Sequence, residues 1–196
     1  MRLTAACAVA LAGLVLGVAA RSAPLPTLSF AGAQGLDFGK GFDGSRDAET
    51  IAAGDVGGDR KPDLVLGSVA DRAVWLATRK PQGGFAVEDG EQPVAGVPAG
   101  LAVGDLNGDG HSDVAVANGT GAKLVTLLLN GGGGAFVRAD YATGSSPQGV
   151  ALADVNGDGR LDVVTANSSA RTVSVLRNLG SGTLASKADY TTGPLP

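Results

Sequence analysis

Asp154-Val155-Asn156-Gly157-Asp158-Gly159-Arg160-Leu161-Asp162-Val163-Val164-Thr165-Ala166-Asn167 places an acidic, glycine-punctuated turn directly before a run of β-branched residues. Asp, Asn and Gly favour turns, whereas Val and Thr fit the pleated surface of a strand. The stretch therefore predicts a turn and then a strand over Asp162–Asn167. Upstream, Val150-Ala-Leu-Ala153 reads as a short apolar strand. Downstream, Thr172-Val-Ser-Val-Leu176 alternates polar and apolar, as a half-buried strand does. The glycine-rich Asn178–Gly182 reads as a turn and Leu184–Tyr190 as a fourth strand. No later stretch carries a 3.6-residue apolar period with caps.

The same reading recurs along the chain. Thr50-Ile-Ala-Ala-Gly-Asp55, Gly100-Leu-Ala-Val-Gly-Asp105 and Gly149-Val-Ala-Leu-Ala-Asp154 align, so the unit is roughly 49 residues long. Arg79–Phe85, Asn130–Phe136 and Asn178–Leu184 fall at one position of each unit. Asp140-Tyr-Ala-Thr-Gly144 returns as Asp189-Tyr-Thr-Thr-Gly193. Four short strands in each unit of this length match a propeller blade. The expected fold is all-β: about three blades of four antiparallel strands, plus one extra N-terminal strand within residues 28–42. A closed ring typically takes about 4–8 blades, so the chain reads as an open or partial propeller.

Chemistry concentrates in the loops at residues 55–63, 105–113 and 154–162. The second runs Asp105-Leu-Asn107-Gly-Asp109-Gly110-His111-Ser-Asp113, and the third keeps Asp154, Asn156, Asp158, Arg160 and Asp162 at the same places. Each puts three carboxylates and one amide oxygen into nine residues, charges that repel one another without a cation. Side chains at positions 1, 3, 5 and 9, with the backbone carbonyl of position 7 (His111 or Arg160), can offer an all-oxygen shell. Calcium wants about six to eight such oxygens in a flexible arrangement, whereas magnesium demands a stricter octahedron. Zinc would call for His or Cys, and the sequence has one of each, Cys7 lying near the N-terminus. The first loop is degenerate. Asp55, Asp59 and Asp63 remain, but Gly57 replaces the amide and Arg60 the turn glycine, so binding there is expected to be weak or absent.

A helical calcium hand is a poor competitor. It needs an acidic ligand at position 12, where these loops have Leu66, Val116 and Thr165. The combination of complete loops, Asp162-Val-Val-Thr-Ala-Asn167, Val173-Ser-Val-Leu-Arg-Asn178 and Tyr-x-Thr-Gly turns resembles the FG-GAP/VCBS repeat family, whose units look like blades of the integrin α-chain propeller. The resemblance covers about residues 28–196. It implies a calcium loop between the first two strands of a blade, at the propeller rim. It also implies a secreted or cell-surface protein concerned with adhesion or ligand recognition.

The N-terminus fits export. Arg2 precedes an uncharged stretch to Ala20, and Val18-Ala19-Ala20 suits signal peptidase, which makes residues 1–20 a signal peptide and 21–27 a linker. The mature chain would then lack cysteine, so something other than disulfides would brace an exported fold, bound metal being one candidate. It would be extracellular, at a cell surface or periplasmic. With 19 acidic and 15 basic side chains, the balance argues against a nucleic-acid partner. No later segment is long and apolar enough to span a membrane.

The expected partners are an extracellular protein or glycan, and self-association could complete a ring. Acid clusters that repeat with the unit argue against an enzyme, since a catalytic pair should occur once. His111 is expected to point its side chain to solvent, and Trp75 to pack in the core rather than serve as a sugar platform. Lys123, Arg171 and Arg177 are read as solvated faces or loop ends. The other functional readings are a propeller lectin and an accessory repeat domain of a larger secreted enzyme.

Overall fold

Short β-branched and apolar runs separated by glycine turns fold here into sheets of neighbouring antiparallel strands. The computed structural model describes residues 48–193 apart from Asp89 and Gly133. The expected signal peptide, linker and extra N-terminal strand lie outside the described residues. No helix occurs among the described residues, and none is long and apolar enough to cross a membrane.

Blade 1 contains β1 (Ala48–Gly54), β2 (Asp63–Ser68), β3 (Ala73–Arg79), β4 (Phe85–Val87) and the short β5 (Gln92–Pro93). Its order is β1-β2-β3-β4, with β5 also on β3. Blade 2 is β6 (Pro98–Gly104), β7 (Asp113–Asn118), β8 (Leu124–Asn130) and β9 (Phe136–Ala142), in that order. Blade 3 pairs β10 (Pro147–Ala153), β11 (Asp162–Asn167), β12 (Thr172–Leu176) and β15 (Ala188–Thr191). A small hairpin of β13 (Asn178–Gly180) and β14 (Thr183–Leu184) sits between the last two. The expected all-β blades of four antiparallel strands are thus present, arranged as a partial propeller.

One strand differs from expectation. The stretch Leu184–Tyr190 is not continuous, because β14 and β15 belong to separate ladders. Two residues lie between Val175 and Asn178, but three lie between Leu184 and Ala188, so the outer strand carries one extra residue and bulges. In blade 2 the corresponding β8–β9 ladder runs unbroken from Leu124↔Ala142 to Asn130↔Phe136.

The first strands face one another, β6 lying against both β1 and β10. This approach requires glycine at Gly100. A Cβ there would stand 2.9 Å from the Gln148 carbonyl oxygen and 3.0 Å from Gly149 Cα. Between blades 1 and 2, Val56, Val65, Val74 and Leu76 pack on Val114, Val116 and Leu128. Between blades 2 and 3, Leu106, Ala115, Val125 and Leu127 pack on Val163, Leu176 and Leu184. Trp75, with Leu66 and Ala77, lies in a third cluster and is 7% exposed, a core residue as expected.

Position 2 of each loop shows how stacking buries apolar surface. Val56 and Leu106 are 6% and 2% exposed beneath the following blade, whereas Val155 is 51% exposed. Polar ties also run across the strands within a blade. Asn118 Nδ2 donates to Thr126 Oγ1 (2.9 Å), which donates to Asp140 (2.6 Å). Asn167, Ser174 and Asp189 repeat the chain in blade 3. Burial pushes the Asp140 carboxyl up, but the hydrogen bonds from Arg138 and Thr126 outweigh it and hold it below the usual range.

Candidate metal centre

Each acidic loop joins the first two strands of its blade, between β1 and β2, β6 and β7, and β10 and β11. Its backbone is shaped by two residues with positive φ. In the second loop these are Gly108 (78°) and Gly110 (87°), and in the third Gly157 (80°) and Gly159 (83°). The first loop keeps the same bend with Gly58 at 76° and Arg60 at 64°. A left-handed conformation costs a non-glycine residue about 1–2 kcal/mol, partly offset by the chain entropy that glycine adds when unfolded. Arg60→Gly is therefore expected to raise stability by about 0.5–1 kcal/mol, read as a higher midpoint in urea with unchanged slope.

The first aspartate organises the turn. Asp105 accepts the Gly108 N–H (2.7 Å) on Oδ1 and the Gly110 N–H (2.9 Å) on Oδ2. Asp154 does the same with Gly157 (2.7 Å) and Gly159 (2.8 Å), and Asp55 with Gly58 (2.7 Å) and Arg60 (2.8 Å). The Gly159 N–H is the main reason the Asp154 carboxyl lies below its ordinary value.

At positions 3 and 5, Asn107 Oδ1 accepts the Asp109 N–H (2.9 Å) and its Nδ2 donates to Asp109 Oδ2 (2.8 Å). Asn156 and Asp158 repeat the exchange. The His111 N–H on Asp109 (2.8 Å), followed by the Asn107 amide, keeps that carboxyl low.

The last aspartate is buried in all three loops, Asp63 at 1% and Asp113 and Asp162 at 0% exposure. Asp113 accepts Leu106 N–H and Asn130 N–H, both at 2.7 Å. Asp162 accepts Val155 N–H (3.2 Å) and Asn178 N–H (2.7 Å), and Asp63 accepts Gly57 N–H and Arg79 N–H, both at 2.8 Å. This carboxylate joins the loop to the start of the second strand and the end of the third. Burial pushes the Asp113 carboxyl up, against the pull of its backbone donors.

Among the described residues, no three His, Cys, Asp or Glu side chains stand together as a finished metal cage. The carboxylates instead turn onto their own backbone. The donor set nevertheless fits a hard cation. Each oxygen of Asp105, Asp109 and Asp113 accepts one hydrogen bond, and a carboxylate oxygen has two acceptor sites. Asn107 Oδ1 likewise has a second lone pair. The position-5 aspartates differ in their cationic neighbours. Asp59 pairs with Lys61 (3.1 Å) and Asp158 with Arg160 (2.5 Å), whereas Asp109 takes its bonds from His111 N–H and Asn107.

His111 does not point freely to solvent as expected. It is half-buried, and Cβ atoms built on Gly58 and Gly132 would lie 3.7 Å from its Nδ1 and 3.0 Å from its Nε2. It occupies the junction between the first loop and the β8–β9 turn. Arg160 is exposed but anchored, its Nε donating to the Asn178 carbonyl at 2.9 Å. The sequence places Asn130 and Asn178 at the start of turns, and the structure buries both. Their common position at the end of the third strand was the available signal.

A model of FG-GAP-like repeats matches this sequence three times, over residues 55–116, 105–165 and 154–196. Each match starts on the first aspartate of a loop. The chain belongs to the FG-GAP-like repeat family. The first two matches each cover a loop, the strands that follow and the loop of the next blade, running on into that blade's second strand, whereas the third covers one loop and the strands after it. No curated protein matches.

Among solved structures, FG-GAP-like blades of this chain are similar to an Agrocybe aegerita lectin described as recognising non-reducing terminal N-acetylglucosamine. The identity is 26% and the TM-score 0.46, covering 69% of this chain and 36% of the lectin. A Photorhabdus luminescens Tc holotoxin pore is similar at 23% identity and TM-score 0.43, covering 76% of this chain and 7% of that one. This chain thus spans about a third of the lectin's length and a small part of the toxin's.

Proposed function

We infer that this protein is an exported, non-enzymatic calcium-binding module whose FG-GAP-like blades present a surface to an extracellular protein or glycan. The observation that carries the reading is the repeated loop: a buried position-9 carboxylate, a position-1 carboxylate that wraps the turn, and acceptor sites left on every ligand oxygen of the second loop. Asp105, Asn107, Asp109, Asp113 and the His111 carbonyl would hold one Ca2+. Asp154, Asn156, Asp158, Asp162 and the Arg160 carbonyl would hold another.

The ion supplies positive charge between clustered carboxylates. The protein supplies the glycine bend and the backbone donors that orient them. The second loop should bind more tightly than the third, where Arg160 must release Asp158 first. The first loop, with Lys61 on Asp59 and no amide at Gly57, is the weakest. Extracellular calcium modules typically bind at about 10⁻⁴–10⁻³ M, a range suited to an exported protein.

Self-association belongs to the same reading. The exposed Val155 occupies the position that a following blade buries at Val56 and Leu106, so a blade from another copy would cover it. The test of calcium binding is thermal melting with calcium and with a chelator, beside a variant lacking Asp109 and Asp158. A melting curve indifferent to calcium would reject the reading.

A further inference from the structure

Leu106 lies between two proposed ligands, Asp105 and Asn107, and is held from three directions. Its side chain is buried among Val163, Leu176 and Leu184 of blade 3. Its N–H donates to Asp113 Oδ2 at 2.7 Å. Its carbonyl accepts Asn178 Nδ2 at 2.6 Å, although Asn178 belongs to blade 3. Asn178 is 1% exposed and its amide is fully engaged. Nδ2 also donates to the Leu161 carbonyl (3.0 Å), and Oδ1 accepts the Gly180 N–H (2.9 Å).

The bridge recurs one blade earlier. Asn130, 2% exposed, donates from Nδ2 to the Val56 carbonyl of the first loop (2.9 Å) and the Ser112 carbonyl (3.2 Å). Its Oδ1 accepts the Gly132 N–H at 3.0 Å. Two independent occurrences of one geometry, each joining residues more than seventy positions apart in the chain, make a chance contact a poor explanation.

The geometry points to metal loops that are completed from the following blade: Asn178 is a positioning residue for the loop Asp105–Asp113, as Asn130 is for the loop Asp55–Asp63. This rests on the calcium reading above. Without Asn178 the Leu106 carbonyl is left buried and unpaired, and the peptide linking the Asp105 and Asn107 ligands loses its clamp. Ordering that peptide then opposes ion binding, because restraint lost in the free loop must be restored in the bound one. Affinity in one blade thereby depends on docking of the next.

The test separates the two loops. In an Asp158→Ala background only the second loop is complete, and in an Asp109→Ala background only the third. Calorimetric calcium titration should show Asn178→Ala weakening the second loop by roughly five- to tenfold, the scale of one net hydrogen bond, and weakening the third loop by less. Should the alanine variant fail to fold, Asn178→Ser keeps an acceptor near Gly180 but loses the reach to Leu106, and it should give the same order.

An unchanged second loop, or a larger loss at the third, would overturn the inference, because a residue serving only its own blade would act there. If the unaltered chain takes up no calcium, the metal reading fails by itself. The positioning role is then decided by amide hydrogen exchange over residues 105–113 in metal-free protein. Faster exchange in Asn178→Ala supports it, and unchanged exchange overturns it.

Discussion

Asp113→Ala is expected to destabilise the protein by about 3 kcal/mol with no metal present, enough to unfold a marginal domain. Asp113 is fully buried, and both oxygens receive backbone N–H groups at 2.7 Å, one from its own loop and one from the end of the third strand. Truncation leaves two buried donors without a partner, each worth about 1–3 kcal/mol. Asp113→Asn should be milder. Its carbonyl oxygen still accepts one N–H, while its amide confronts the other.

The sign of the pH dependence follows from the raised Asp113 carboxyl. Below the unfolded value both states hold the proton. As pH rises from there to the higher folded value, the unfolded chain releases its proton first, so stability falls across that window and stays reduced above it. Asp113→Asn should remove this contribution. Urea denaturation of the metal-free variants at several pH values measures both effects, and equal stability of Asp113→Ala and the parent would contradict the structural role.

Calcium should raise the melting temperature, and Asp109→Ala with Asp158→Ala should abolish the rise. At about a hundredfold excess over the dissociation constant, two sites on a domain of this size shift the midpoint upward by roughly 10–20 °C. Asp109 and Asp158 are suited to this test because they lie on the exposed tip of the loop and have no backbone donor outside it. Their removal should leave the metal-free midpoint nearly unchanged. Asp113 and Asp162 would not discriminate, since they also support the fold.

Periodicity made much of this legible. The limits of β11 and β12 agree with the predicted runs Asp162–Asn167 and Thr172–Leu176, because β-branched residues and a strict alternation leave little freedom. The loop positions followed from the spacing of Asp, Asn and Gly. Arg60 keeps the left-handed bend that its neighbours' glycines suggested.

Other features depend on how one blade meets the next, which a single unit's sequence does not carry. The bulge that splits β14 from β15 is a register event between strands. The place of His111 is set by Gly58 and Gly132, residues of a different blade and a different turn. Asn178 was hidden in a glycine-rich turn, although its partner is the carbonyl of Leu106. The buried position-9 aspartates combine a proposed ligand role with a structural one, and spacing alone does not separate the two.

Equilibrium dialysis of the intact chain against radioactive calcium tests the central claim most directly. The account predicts uptake of about two ions per chain in the millimolar range, one of them lost with Asp109→Ala and the other with Asp158→Ala. No uptake up to ~10 mM calcium, or uptake indifferent to both substitutions, would contradict it.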